Sequence, residues 1–538
     1  MNNQSGIAMR LGLVETVKHW SKYLPNKPAI VSDTGAVSYR ELYSASIKTA
    51  AELVRVLPKK EMPIGLMAED KPSFVIGLLA IPSTGNSMIL LNPIWPDTVL
   101  AQAFKDSGAE VVLIDAERTK QRFEGQHVKA RYVFTQANTK DAVACGFTPQ
   151  LRDASATWGV IYSSGTTSQP KGIVRTDFSI LSELLGWCLE LPITREDSFY
   201  IGRPLFYTGG LVLSASTLLV GGTVCAPREH EVKVFHALQS KRALTYAFLL
   251  PDQIRELVRF YEKNQLPAHP VKRIVTMGAA IAAEEKQKAA VVLKAEILES
   301  WGNSEGLGTI TEADDLINRP ASIGRPFLGD EMLICDDSGK ELPAGSVGRI
   351  SGLADSRLKE YRNREDLNNA LILGELVLSE DLGKVDNDGY FHLCGRLSER
   401  IVRRGNPVFA NDILPVVRGL QGVQDAAVIG IPDGTEGEVP VAAVVISGNS
   451  VGVSEDELLR AANAKLSELL QLRTIRIVPK LEKTATGKLP SNTSERFLIL
   501  DGFCYSPTSI VPTTYRRTLF FAQQSVSLLH AQHRRKPG

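Results

Sequence analysis

The sequence predicts an α/β protein, with a large N-terminal domain of helix-covered sheets and a small α+β C-terminal domain. Three observations carry that expectation. Short apolar runs at 63–68, 87–91 and 110–115 alternate with helical spacing, the pattern of parallel strands covered by helices. After Gly395-Arg396 the pattern becomes paired β-branched runs, 428–431 and 441–446, separated by the turn-rich Pro432-Asp433-Gly434-Thr435-Glu436-Gly437. A chain of 538 residues also exceeds what one core holds.

Ser38-x-x-Glu41 is a capping box, and apolar spacing extends its helix to Val56. The glycine-, serine- and threonine-rich stretch 210–221 is short and reads as a buried element. In the small domain Ser454-x-x-Glu457 caps a helix whose stripe is Leu458, Ala462, Leu466 and Leu469-Leu470, and a strand at 474–478 closes the module. Residues 501–538 carry one acid, Asp501, and the basic clusters Arg516-Arg517 and Arg534-Arg535-Lys536. They read as a flexible basic tail, with docking on the body or a partner as the alternative.

Lysine plus arginine total 61 against 60 acidic residues, so no global field favours nucleic acid or an anionic membrane. No apolar run approaches the roughly 18 residues of a membrane span. Residues 1–12 lack the basic and apolar regions of a secretory signal. Cys145, Cys188, Cys225, Cys335, Cys394 and Cys504 are scattered without ligand spacing, which suits single thiols in a reducing compartment, so a cytoplasmic location is expected.

One segment carries phosphate chemistry. Tyr162-Ser163-Ser164-Gly165-Thr166-Thr167-Ser168-Gln169-Pro170-Lys171-Gly172 follows an apolar strand. Its glycines let backbone N–H groups converge on phosphate oxygens, while the hydroxyls and Lys171 supply further donors. A Walker loop has a different order of parts, so this is not a P-loop. Two further motif matches fail on local structure. Gly302-x-Ser304-x-Gly306 has the form of a hydrolase nucleophile elbow, but 307–311 is a poor helix start. Ser168-x-x-Lys171 has the β-lactamase form, but Pro170 precludes the helix.

The segment resembles the signature loop of the adenylate-forming superfamily: acyl- and aryl-CoA synthetases, firefly-luciferase-like enzymes and peptide-synthetase adenylation domains. Ser168 stands where that loop has a third glycine. Five further stretches follow in family order. Ser300-Trp301-Gly302-Asn303-Ser304-Glu305 resembles the aromatic-Gly-x-Thr-Glu element; the resemblance puts Trp301 at the adenine, Ser304 at the α-phosphate and Glu305 on Mg²⁺, with Gly302 also among the nucleotide-binding residues. Met277-Gly278-Ala279-Ala280 resembles the stretch that meets the adenine by its backbone, and Ser322-Ile323-Gly324-Arg325-Pro326 matches another landmark. Ser379-Glu380-Asp381-Leu382-Gly383 resembles Thr-Gly-Asp-Leu-Gly, whose Asp chelates the ribose hydroxyls, with Glu380 in place of glycine. Arg396 is then a partner of ribose or phosphate. Lys483-Thr484-Ala485-Thr486-Gly487-Lys488 resembles the motif whose last lysine catalyses adenylation.

The resemblance implies a domain of residues 1–397 for ATP and acid, a mobile small domain of 398–500, and a hinge at Ser398. It implies ATP and Mg²⁺ as cofactors and CoA as the co-substrate. A carboxylic acid would become acyl-AMP with pyrophosphate release, then pass to a thiol. Arg404 and Pro407 depart from the Gly-Gly of many CoA ligases: they could narrow a pantetheine channel, or Arg403 and Arg404 could meet CoA phosphates. An amine acceptor, a carrier protein, and a degenerate nucleotide binder therefore stay open. Pro204-Leu205-Phe206-Tyr207-Thr208-Gly209-Gly210 matches the acyl-pocket segment, with Phe248 and Gly278 as further walls. Amino-acid-activating domains place an Asp where Tyr207 stands, which points to an aryl or short-to-medium acyl acid; Tyr207 either gates that pocket or packs in the core.

Overall fold

The computed structural model describes residues 11–33, 35–58, 61–126, 130–135, 146–163, 170–242, 244–267, 271–279, 281–446 and 454–481. The chain divides into two compact units, 1–393 and 394–538. The loop residues 164–169, Ala280, the 482–490 stretch with Lys488, and the 501–538 tail lie outside the described residues, as does the Ser398 side chain.

In the first unit the helix Tyr39–Val56 starts at the capping box. The Ser38 backbone N–H donates to Glu41 Oε2 at 2.8 Å, and the Glu41 N–H donates to Ser38 Oγ at 3.3 Å. Such a cap contributes about 1 kcal/mol. The three apolar runs become the strands Ile64–Met67, Met88–Leu90 and Val111–Ile114, paired in parallel within a seven-stranded sheet. That sheet continues through Thr157–Ser163 and Lys171–Thr176 to an edge at Glu360–Tyr361.

A nine-stranded sheet runs from Arg325–Pro326 to Gly35–Ser38. Its centre, including Ser198–Ile201, Tyr246–Phe248, Arg273–Thr276 and Glu296–Gly302, is parallel. The helices Lys71–Ser83 and Thr208–Leu219 join one hydrophobic cluster with strands of both sheets, including Leu66, Leu90, Phe199 and Phe248. Every residue of Lys71–Ser83 is buried, so this helix is apolar all round instead of striped. Residues 210–219 of the 210–221 stretch are likewise buried in a helix, Thr208–Leu219, because their small residues permit close packing on both faces. A third, five-stranded sheet holds Glu331–Cys335, Gly348–Leu353 and Leu376–Val385.

The second unit has the small-module pattern read from the sequence. Val423–Asp433 and Gly437–Ile446 form an antiparallel hairpin, with Ile475–Ile477 parallel beside it. Ser454 and Glu457 cap Glu455–Asn463, whose Leu458 and Ala462 are buried with Leu466 in one core. No helix among the described residues is long and apolar enough to cross a membrane.

Candidate active site

Tyr162 and Ser163 end one strand and Lys171 opens its antiparallel neighbour, with Ser163 directly opposite Lys171. Residues 164–169 thus lie between two adjacent antiparallel strands of the seven-stranded sheet. Tyr162 is buried and donates its hydroxyl to Asp106 Oδ2 at 2.6 Å, which fixes the entry strand. Lys171 opens a strand, so the Ser168-x-x-Lys171 match has no helix to stand on.

Glu305 lies in the turn between Glu296–Gly302 and Gly308–Ile310, which pair antiparallel. No helix follows Ser304, and the elbow reading of Gly302–Gly306 fails for that reason. Gly306 has φ +95°, and a Cβ there would stand 1.9 Å from the Ser356 carbonyl, so only glycine permits this turn. Arg175 is fully buried and supports the same turn, donating to the Ser304 carbonyl at 3.4 Å and pairing with Glu183 at 2.8 Å.

The Tyr361 hydroxyl donates to Glu305 Oε1 at 2.9 Å. Tyr361 sits on the edge strand beside Ile173, so Glu305 is tied to the sheet that carries Lys171. Burial pushes the Glu305 carboxyl above the usual carboxylate range, and Asp381 adds to the rise, while Tyr361 and Lys171 oppose it. A buried hard oxygen ligand that is costly to ionise alone is well suited to a divalent cation.

Asp381 comes from Leu376–Val385, at a break in register. Gly348, Arg349 and Ser351 face Gly383, Leu382 and Leu378, so Ser379, Glu380 and Asp381 bulge opposite Ile350. Bulges re-aim side chains. Here Asp381 Oδ2 accepts from Trp301 Nε1 at 3.1 Å, and Glu380 Oε1 lies 3.1 Å from Lys171 Nζ. The Ser379 hydroxyl accepts the Asp381 N–H at 3.1 Å and steadies the bulge.

Thr208 opens the helix Thr208–Leu219 and its hydroxyl lies 3.2 Å from Ser304 Oγ. Gly209 packs so tightly that a Cβ would come within 2.8 Å of Met277 Sδ and 3.1 Å of Phe248. Tyr207 is neither fully buried nor free: Asn92 hydrogen-bonds its hydroxyl, and the Arg203 guanidinium stacks 4.6 Å from its ring. Gly278 has φ +93°, and Arg203 Nη1 is 3.6 Å from where its Cβ would be.

The structure therefore brings together Lys171, Trp301, Ser304, Glu305 and Asp381, with Tyr207, Thr208, Gly209, Phe248 and Gly278 continuing from Ser304. In the second unit, Gly395 and Arg396 end the strand Phe391–Arg396. Arg403 and Arg404 are already engaged there: both pair with Glu436, at 2.7 and 2.9 Å, and Arg404 also meets Glu468 at 2.8 Å. Free arginines waiting for CoA phosphates are not what this geometry offers. Sequence reasoning missed Tyr361, Arg175 and Arg203, none of which stands in a motif. Glu380 was visible as a departure, but its lysine partner was not.

Comparison with known proteins agrees with this assembly. Residues 17–352 match the family model described as AMP-binding enzyme, and residues 416–488 match the AMP-binding enzyme C-terminal domain. A 2-succinylbenzoate–CoA ligase of Bacillus cytotoxicus is 24% identical over 484 residues, covering 88% of this chain and 98% of that protein. The o-succinylbenzoate CoA synthetase of Bacillus subtilis, solved with its acyl-adenylate intermediate, superposes with a TM-score of 0.80 at 23% identity, over 89% of this chain and 97% of that one. The amide bond synthetase of Marinactinospora thermotolerans superposes with a TM-score of 0.79 at 21% identity, over 89% and 98%. With more than half of its length matched, this chain belongs to the AMP-binding enzyme family.

Proposed function

We propose that this chain activates a non-amino-acid carboxylic acid with ATP and transfers the acyl group to the thiol of CoA. In the first step a substrate carboxylate oxygen bonds to the α-phosphorus and the bond to pyrophosphate breaks. In the second a thiolate attacks the acyl carbon and AMP leaves. The observation that carries the reading is the convergence of Trp301, Asp381, Ser304 and Glu305 beside Lys171.

Each residue has a task there. Ser163, Ser164, Gly165, Thr166, Thr167 and Lys171 bind the β- and γ-phosphates. Trp301, Gly302 and the backbone of Gly278, Ala279 and Ala280 receive the adenine; Asp381 and Arg396 hold the ribose, and Ser304 meets the α-phosphate. Glu305 holds Mg²⁺, which supplies positive charge to the phosphate oxygens when bound. Lys488 screens the approach of two anions, which otherwise costs several kcal/mol. Tyr207, Thr208, Gly209, Phe248 and Gly278 line the acid pocket.

The large domain is residues 1–397, Ser398 is the hinge, and 398–500 form the small mobile domain. A cytoplasmic setting supplies ATP and CoA together. CoA is favoured as acceptor because the curated relatives carry CoA ligase names. Transfer to an amine is the second reading, favoured by the fold shared with an amide bond synthetase and by Arg404 and Pro407 in place of small residues; loading of a carrier protein uses the same thiol chemistry.

Pyrophosphate release across a panel of carboxylic acids tests the first step, with mass spectrometry after addition of CoA or amines for the second. A thioester is the expected product. Amide without thioester would overturn the acceptor, and no release with any acid would overturn acid activation altogether.

A further inference from the structure

Arg203 is 6% exposed, yet among the described residues its guanidinium has no carboxylate and no hydrogen-bond acceptor. Its one close partner is the ring of Tyr207, at 4.6 Å. A buried cation stacked on an aromatic face keeps its edge nitrogens available, and an arginine stays charged at neutral pH even when burial lowers its pKa, as it does here. Leaving such a group unpaired is costly, so its retention needs a partner that arrives later.

The location says which partner. Arg203 follows the strand Ser198–Ile201 and directly precedes Pro204, the start of the acid-pocket segment. Nη1 faces Gly278, which has no side chain to cover it, and Leu250 lies 3.8 Å from the same Cβ position. Tyr207, the ring beneath the guanidinium, is itself held by Asn92. The remaining walls, Phe248 and Met277, are apolar. One fixed cation beside apolar walls orients a substrate by its charged end.

We propose that Arg203 is the anion-binding residue of this pocket, and that the acid this chain activates carries a second carboxylate, which the guanidinium holds while the first reacts. The inference rests on acid activation as proposed above and deepens it: the substrate class becomes a dicarboxylic acid. The planar fork of arginine matches a carboxylate through two parallel hydrogen bonds, and the stacked ring sets the plane of that fork.

The test uses matched pairs in the pyrophosphate assay, each monoacid beside the diacid that differs only by a terminal carboxyl: butyrate with glutarate, hexanoate with pimelate, 3-phenylpropanoate with its ring-carboxylated analogues. In the unaltered chain at least one diacid should exceed its monoacid by about a hundredfold in kcat/KM. Arg203→Met should bring that ratio to one or below, mostly through KM for the diacid, and Arg203→Lys should restore part of it. Thermal unfolding gives a readout without turnover: the preferred diacid should raise the melting temperature of the unaltered chain and not of Arg203→Met. Monoacids preferred in every pair would overturn the proposal. So would an Arg203→Met effect confined to KM for ATP, or one equal for both members of each pair. Silence with every acid would instead overturn acid activation itself.

Discussion

Glu380 stands where the resembled motif has glycine, and the side chain it adds is engaged: it meets Lys171 at 3.1 Å, with Lys171 largely buried and Glu380 half exposed. Lys171 closes the loop proposed to bind phosphate, so on that reading Glu380 competes with the nucleotide for the same ammonium. A half-exposed ion pair contributes about 0.2–1 kcal/mol. Glu380→Gly should therefore lower KM for ATP by up to about fivefold, since 1.4 kcal/mol is a factor of ten, with kcat little changed. Steady-state kinetics at varied ATP checks this, and an unchanged or raised KM would show that Glu380 positions Lys171 for the nucleotide instead of withholding it. Arg203 offers the opposite case, a cation stacked on the Tyr207 ring with no carboxylate partner among the described residues.

Elements carry a second kind of consequence. The turn between Arg325–Pro326 and Glu331–Cys335 holds Asp330 against Glu183 and Glu190 of the helix Asp177–Glu190, and near Asp355. Burial first, and these three carboxylates next, push the Asp330 pKa up to about 7. In the unfolded chain an aspartate titrates near 3.9. Between those two values the folded state holds a proton that the unfolded state has released, so stability falls as pH rises through this window and the cost is full above about pH 7. Asp330→Asn should leave the melting temperature unchanged at pH 4 and raise it at pH 8. Melting curves at the two pH values measure the difference, and equal shifts at both would mean that the carboxyl is ionised throughout.

At the scale of the whole molecule the residues proposed for adenylation are drawn from both units. Most residues proposed to receive the nucleotide lie in 1–393, whereas Arg396 and the lysine proposed for adenylation, Lys488, belong to 394–538. Lys488→Ala should cut acyl-AMP formation by about 10²–10³-fold, the usual cost of removing one charge-stabilising donor, while thioester formation from preformed acyl-AMP survives. Single-turnover assays of each half-reaction separate the two, and equal loss in both would remove the assignment. Legibility also differs by scale. The helix Tyr39–Val56 and the hairpin of 423–446 were readable because caps, turns and apolar spacing are local signals. Trp301, Glu305 and Asp381 were readable through motifs of neighbouring residues. Tyr361 and Arg203 were not: each is a lone residue whose meaning lies in a contact across the fold, to Glu305 and to the Tyr207 ring. Glu380 showed as an irregularity, and only the three-residue bulge opposite Ile350 explains how it reaches Lys171.

That bulge also bears on the order in which the protein is made. Lys171 emerges from the ribosome early and Trp301 and Glu305 follow, while Glu380 and Asp381 come later, on a strand whose ladder partner is Gly348–Leu353. Until that strand has been translated and paired, the Trp301 indole lacks the carboxylate at 3.1 Å and the Lys171 ammonium lacks its counter-charge. A nascent chain halted before residue 380 would hold the strands of both large sheets and still lack the Asp381 carboxylate proposed to hold the ribose.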